Sequence, residues 1–184
     1  MNSFKTVDRI TRFLSIMPLD DIKGNFNKGD FINYLIEKGF FKSPASRGFH
    51  GAFEGGLFEH SYQVTRALEK FTALLGLEWE RKESPYIVGM FHDLCKMELY
   101  VQNDDSAGFH YNSELILNGH GEKSIILLQQ HILLTEEEIM CIRWHMGAFD
   151  DSKNWEYYSR AVSAYPNVLY THTADMIASK LQKI

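Results

Sequence analysis

His92 and Asp93 set a carboxylate beside an imidazole in the run Gly89-Met90-Phe91-His92-Asp93-Leu94-Cys95-Lys96, straight after the apolar Ile87 and Val88. Burying such a pair costs on the order of several kcal/mol unless it is paired or binds a metal. Three more histidines, His60, His120 and His145, fall in separate predicted elements, and Asp175 lies late in the chain near Leu169, Met176 and Ala178. Neutral imidazole and ionised carboxylate are the ligands that iron, manganese, cobalt and zinc prefer. A helical bundle gathers them by projecting one or two inward from each helix. Singly, each has an ordinary reading. His60 suits a satisfied core position, His120 a glycine turn, His145 a helix C-terminus whose dipole it complements, and Asp175 a structural acceptor. The adjacent pair has no inexpensive way to be buried.

The elements that must position these groups are mostly helical. Ile10, Phe13, Leu14 and Met17 predict a helix over 4–17, and Phe31 to Lys38 a second, ended by Gly39. Residues 41–53, rich in Gly, Ser and Phe, read as a surface loop. Gly55-Gly56 opens a strong helix whose buried stripe is Leu57, Val64, Ala67, Leu68, Phe71 and Leu75, with His60 on the same stripe. Ser84-Pro85 reads as an N-cap with proline at the first helical position, starting the helix that carries His92 and Asp93. Residues 98–117 break the period. There Leu99-Tyr100-Val101 and Glu114-Leu115-Ile116-Leu117 flank a polar turn with Asn103, Asp104, Asp105 and Gly108, which predicts a β-hairpin insertion. A helix follows Gly119-His120-Gly121. Thr135 with Glu138 is a capping box for the helix that ends with His145 and Gly147. Trp155 to Ala164 and Pro166 to Leu181 give two final helices. The expected fold class is all-α with one small hairpin.

Composition sets the outer bounds. At 184 residues the chain has room for one well-buried core and reads as a single domain. Its 45% hydrophobic and 23% charged residues are ordinary for a globular protein. A net charge of -5 argues against long nucleic acid as the partner. Two distant cysteines, Cys95 and Cys141, read as reduced core residues, and no apolar run approaches membrane-spanning length. The expectation is a cytoplasmic protein without membrane contact.

The ordered pieces Gly55-Gly56-Leu57-Phe58-Glu59-His60, Phe91-His92-Asp93-Leu94-Cys95-Lys96, Gly119-His120-Gly121, Trp144-His145 and Ala174-Asp175 resemble the HD-domain metal-dependent phosphohydrolases. The Gly-Gly-Leu-x-x-His and His-Asp-x-x-Lys pieces are similar to the HD module of YhaM-type 3′-5′ exoribonucleases. The resemblance spans roughly residues 50–182, leaving 1–49 as an N-terminal helical extension. It implies an HD-domain helical bundle with His60, His92, Asp93 and Asp175 around a first ion. It further implies His120, His145 and Asp93 around a second, Asp93 bridging the two. Two divalent or iron-type ions (Fe, Mn, Co or Zn) so placed clamp the oxygens of a phosphoryl group. Cys95 departs from the resemblance, standing where many relatives have glycine.

Lys96, three residues after Asp93, is expected to neutralise it or reach a substrate phosphate, and forms with Asp93 the expected catalytic pair. Lys123, Arg143 and His172 are weaker candidates for substrate binding, His172 alternatively supporting Asp175 from behind. His50, His110 and His131 read as loop, hairpin and helix-end residues. Trp155, Tyr157 and Tyr158 read as helix packing beside the His145 loop. The leading reading is a phosphohydrolase or phosphodiesterase acting on a small, nucleotide-like phosphate ester. Two rivals use the same ligands: a di-iron oxygenase, and a non-catalytic nucleotide-sensing module. Oligomeric state does not follow from the sequence.

Overall fold

The computed structural model describes residues 2–23, 27–49, 51–103, 108–117 and 119–184. Its helices begin and end largely where local chemistry dictates. Helix α1 (Asn2–Ile16) buries Phe13, with Met17 just beyond its end, but leaves Leu14 exposed. The Asn27 side chain caps α2 (Lys28–Glu37) by accepting from the backbone N–H groups of Gly29 and Asp30. Helix α3 (Gly56–Leu75) stops at Gly76, which adopts the left-handed conformation of a helix C-terminus.

Helix α4 (Ser84–Phe91) is apolar on nearly every side, so it must lie inside the molecule. It packs chiefly along α3. Gly89 makes that approach possible, because a Cβ there would stand 2.6 Å from the Thr65 Cα. Phe91 ends the helix in a cluster of buried rings. Its centroid lies 5.6 Å from Phe31 and 6.2 Å from Phe13, edge to face, and Phe13 meets Phe41 at 5.6 Å. These rings join α1 and α2 to the same apolar core as α3 and α4, and they anchor the chain immediately before His92.

The chain then turns tightly, with Leu94 N–H donating to the Phe91 carbonyl and Lys96 N–H to that of Asp93. A short helix α5 (Lys96–Leu99) leads into β1 (Tyr100–Gln102), which pairs antiparallel with β2 (Phe109–Tyr111), Tyr100 opposite Tyr111. Helices α6 (His120–Gln129), α7 (Glu136–Trp144), α8 (Trp155–Ala164) and α9 (Asn167–Met176) complete the bundle, and Ile177–Gln182 continues α9 as a π-helical segment. The fold is all-α with one small hairpin. No helix among the described residues is long and apolar enough to cross a membrane.

Three expectations need correction. The hairpin's second strand is Phe109–Tyr111, not Glu114–Leu117. The tyrosine pair and the Asn103 N–H to Gly108 carbonyl bond set a short register that closes before residue 114, and Ile116 stands fully exposed. Asp104 and Asp105 lie outside the described residues. Ser84 is a helical residue, with Glu83 at the N-cap, because its hydroxyl is drawn away to Glu138 Oε1 at 2.8 Å. Lastly, 41–46 is no surface loop. Phe41, Ser43, Ala45 and Ser46 are buried, and their backbone is satisfied by Gly55 and Leu57 N–H groups donating to Lys42 and Ser43.

The start of α7 carries a buried polar network. The expected capping box forms between Thr135 and Glu138, and the fully buried Glu138 carboxylate also receives the Arg81 guanidinium at 2.8 and 2.7 Å. With Ser84 as a further donor, this carboxylate ties α4 to α7 from the side away from His92.

Candidate metal centre

His92 and His145 are both C-cap residues, of α4 and α7 respectively. Each turns its Nδ1 back to the carbonyl three residues earlier in its own helix, His92 to Gly89 at 2.9 Å and His145 to Ile142 at 2.7 Å. His60, inside α3, places its Nδ1 2.9 Å from the Ile184 carbonyl. A carbonyl only accepts, so all three rings carry their proton on Nδ1 and present the Nε2 lone pair elsewhere.

Those Nε2 atoms converge. His60 and His92 Nε2 are 3.3 Å apart, and His60 Nε2 lies 3.1 Å from Asp175 Oδ1 and 3.7 Å from Asp93 Oδ2. His92 Nε2 is 3.4 Å from Asp93 Oδ2, and His145 Nε2 is 3.5 Å from Asp93 Oδ1. Lone pairs and carboxylate oxygens thus face one another in a buried space. Asp93 Oδ1 and His145 Nε2 have no hydrogen-bond partner there. Such groups are costly without a cation between them, and this donor chemistry fits a divalent metal.

The charges agree with that picture. Burial by itself raises the Asp93 carboxyl, but the Lys96 ammonium at 2.6 Å, then His92 and His145, outweigh it and hold Asp93 well below the usual carboxylate range. Burial works against the Lys96 charge too, and Asp93 more than restores it, leaving Lys96 above the ordinary lysine value. Burial raises Asp175 as well, but its neighbours, the His60 ring first and then His92 and His145, bring it far down. Both aspartates are ionised at neutral pH.

His120 opens α6 just after Gly119. Its Nδ1 lies 3.3 Å from the Cys95 sulfur, and burial lowers its pKa. Among the described residues, two groups of donors lie mutually within 4.8 Å: His60 with His92 and Asp93, and Asp93 with Cys95 and His120. Asp93 belongs to both. Cys95 is the member that residue types alone do not suggest, since a thiol in an apolar run looks like packing. Its thiol is pushed up to about 12, first by burial and then by the Asp93 charge.

The other expected site residues take more peripheral places. Lys123 is buried in an ion pair with Glu98 at 2.9 Å. Arg143 bridges Glu122 and Asp150, 2.7 Å from each, over the Trp144 ring. His172 places its Nδ1 2.8 Å from the His145 carbonyl, behind the converging rings, between Phe149 and Tyr158. Gly147 allows this. Its φ is +53°, and a Cβ would meet the His172 ring at 2.6 Å. Tyr158 packs against Trp144, whereas Trp155 and Tyr157 are largely exposed. His131 packs at a tilt against Tyr34 and His110 bonds Asn103, and His50 lies outside the described residues. A cleft of about 170 Å³ reaches Asp93, Lys96, His120 and Asp175 from outside. Its lining also includes Ser46, Tyr100, Phe149 and Lys180, none of which the sequence pattern singles out as site residues.

Over 77 residues, 39% of this chain, the sequence is 34% identical to the dihydroneopterin 2′,3′-cyclic phosphate phosphodiesterase of Methanocaldococcus jannaschii, and it spans 30% of that protein's length. No known family profile matches the chain, and no solved structure matches it. The chain is therefore similar, over part of its length, to a phosphodiesterase, and it clusters His, Asp and Cys side chains that could hold metal ions.

Proposed function

We propose that this protein is an HD-type metal-dependent phosphohydrolase that cleaves a small phosphate ester, most simply a phosphodiester on a nucleotide-like or pterin-like body. The observation that carries this reading is the convergence of the His60, His92 and His145 Nε2 atoms on Asp93, with Asp93 Oδ1 and His145 Nε2 left without partners. His60, His92, Asp93 and Asp175 hold one ion, and His120, His145 and Asp93 a second. Bound divalent ions supply Lewis acidity at a phosphoryl oxygen and make water acidic enough to attack at neutral pH. The partial match to a cyclic-phosphate phosphodiesterase supports the substrate class.

The chain's own residues do the rest. Asp93, kept ionised by Lys96, is the negative anchor that both donor groups share. Lys96 also lines the cleft, so its ammonium is placed to attract a phosphate dianion or monoanion. The exposed Lys180, held over the Phe149 ring at 5.4 Å, offers a second positive group and an aromatic face for a ring-bearing substrate. A cleft this small and a net charge of -5 suit a compact ester better than a long nucleic acid. In this reading 50–182 is the catalytic unit, 1–49 an extension that completes the core, 98–117 an insertion beside the cleft, and the setting cytoplasmic.

The test is direct. Protein purified without chelator is assayed for metal content, then against bis-p-nitrophenyl phosphate and a panel of 2′,3′-cyclic nucleotides with manganese, iron, cobalt or zinc. Diester hydrolysis is expected with at least one metal and is lost in Asp93→Ala. Hydrolysis that survives Asp93→Ala, or no turnover of any ester with any metal, overturns the proposal.

A further inference from the structure

The second donor group differs in kind from the set used above. Asp93 and Cys95 lie two residues apart in the tight turn between α4 and α5, and His120 opens α6. The Cys95 backbone N–H donates to Ser124 Oγ at 3.1 Å, one helical turn beyond His120, which clamps the turn to α6. That clamp holds the Cys95 sulfur, 3% exposed, 3.3 Å from His120 Nδ1 and within 4.8 Å of an Asp93 oxygen. Beside the thiol lies the buried Asp93 carboxylate, whose Oδ1 has no hydrogen-bond partner.

We propose that Cys95 is a thiolate ligand of the second ion, joining Asp93 and His120 and giving that site a sulfur donor. The inference rests on the two-ion reading given above and deepens it. Binding breaks the Cys95 S–H bond and forms a sulfur–metal bond, the proton leaving to solvent, with no change of oxidation state. A nitrogen, oxygen and sulfur donor set selects zinc, cobalt or ferrous iron over magnesium and manganese. The second site therefore differs from the first, whose donors are imidazole and carboxylate alone, and the two should discriminate between metals.

Cobalt reports on this directly, because a thiolate bound to Co(II) gives a charge-transfer band in the near-ultraviolet that nitrogen and oxygen donors do not. The full-length protein is stripped with chelator, titrated with Co(II) under argon, and read by absorption and by cobalt content per chain. The expected result is two cobalt ions, with the band growing alongside one of them. The band persists in Cys141→Ala and disappears in Cys95→Ser. Cys95→Ser should also weaken that equivalent by at least about tenfold, the lower end for groups that merely support metal ligands. Two cobalt ions bound to the wild-type chain without the band overturn the thiolate ligand and leave the proposed function standing. A band with a single cobalt supports the thiolate and overturns the two-ion count. No cobalt bound overturns both. The wild-type spectrum decides among these even if Cys95→Ser fails to fold.

Discussion

Lys96 Nζ sits 2.6 Å from Asp93 Oδ2 across the turn that ends α4, with both side chains almost wholly withdrawn from water. The bond spans three residues, yet no regular helix joins them. It is the i to i+3 turn, Lys96 N–H to Asp93 carbonyl, that brings the two side chains together. The ammonium therefore holds part of the charge balance of a centre that otherwise presents carboxylates and lone pairs.

Lys96→Met tests that role. In chelator it leaves a buried carboxylate unpaired, which costs about 3–5 kcal/mol. Urea unfolding of the stripped variant should show this loss, and added zinc or cobalt should recover part of it by supplying another cation. A stripped variant as stable as the wild type would refute the charge-balance role.

Metal should stabilise the fold through the same groups. A ligand that binds only the native state at a hundred times its Kd adds about 2.7 kcal/mol. Thermal unfolding with excess zinc or cobalt is expected to move upward relative to chelator. Asp93→Ala should abolish the shift, since Asp93 belongs to both donor groups.

Gly147→Ala acts on the centre from behind. The added methyl would meet the His172 ring at 2.6 Å and sit at a φ of +53°. His172 must move, releasing its hold on the His145 carbonyl. A loss of about 1–3 kcal/mol in stability is expected, together with weaker cobalt binding by isothermal titration. His172→Ala, which removes the clash, should combined with Gly147→Ala recover part of the stability. No recovery in the double variant would mean that backbone strain, not the ring contact, is responsible.

Glu138→Ala probes the polar network at the far end of α4. It strips a fully buried carboxylate from Arg81, Ser84 and the Thr135 cap. The expected cost is about 3–5 kcal/mol, against about 1 kcal/mol for Thr135→Ala, which loses only the cap. Denaturant unfolding should separate the two. Metal content per folded chain should stay unchanged in both.

Much of this architecture was legible in residue order because its signals are local. The Gly55-Gly56 start and the Thr135–Glu138 box both depend on neighbours within four residues, and both stand where expected. The histidine and aspartate series was legible for a different reason. Each member looks ordinary alone, but their joint burial has few inexpensive explanations. What escaped depends on distant partners. Leu115-Ile116-Leu117 has strand composition, yet pairing is decided by Tyr100 and Tyr111. Phe41 looks like loop until Phe13 and Phe58 enclose its ring. Lys123 and Arg143 look free until Glu98, Glu122 and Asp150 arrive from other elements. Cys95 looks like packing until α6 brings His120 against it.

The rings of His92 and His145 are held by main-chain carbonyls of their own helices, at Gly89 and Ile142. An acceptor of that kind belongs to every amino acid, so substitution at position 142 leaves it in place. The aim of the His145 imidazole is thus insulated from sequence drift at residue 142, whereas Gly89 is fixed by the close approach of Thr65. What both rings depend on is that α4 and α7 each end at their present residue. A one-residue insertion within either helix would rotate the imidazole away by about 100°, while conservative replacement of the acceptor residue at 142 would pass unnoticed.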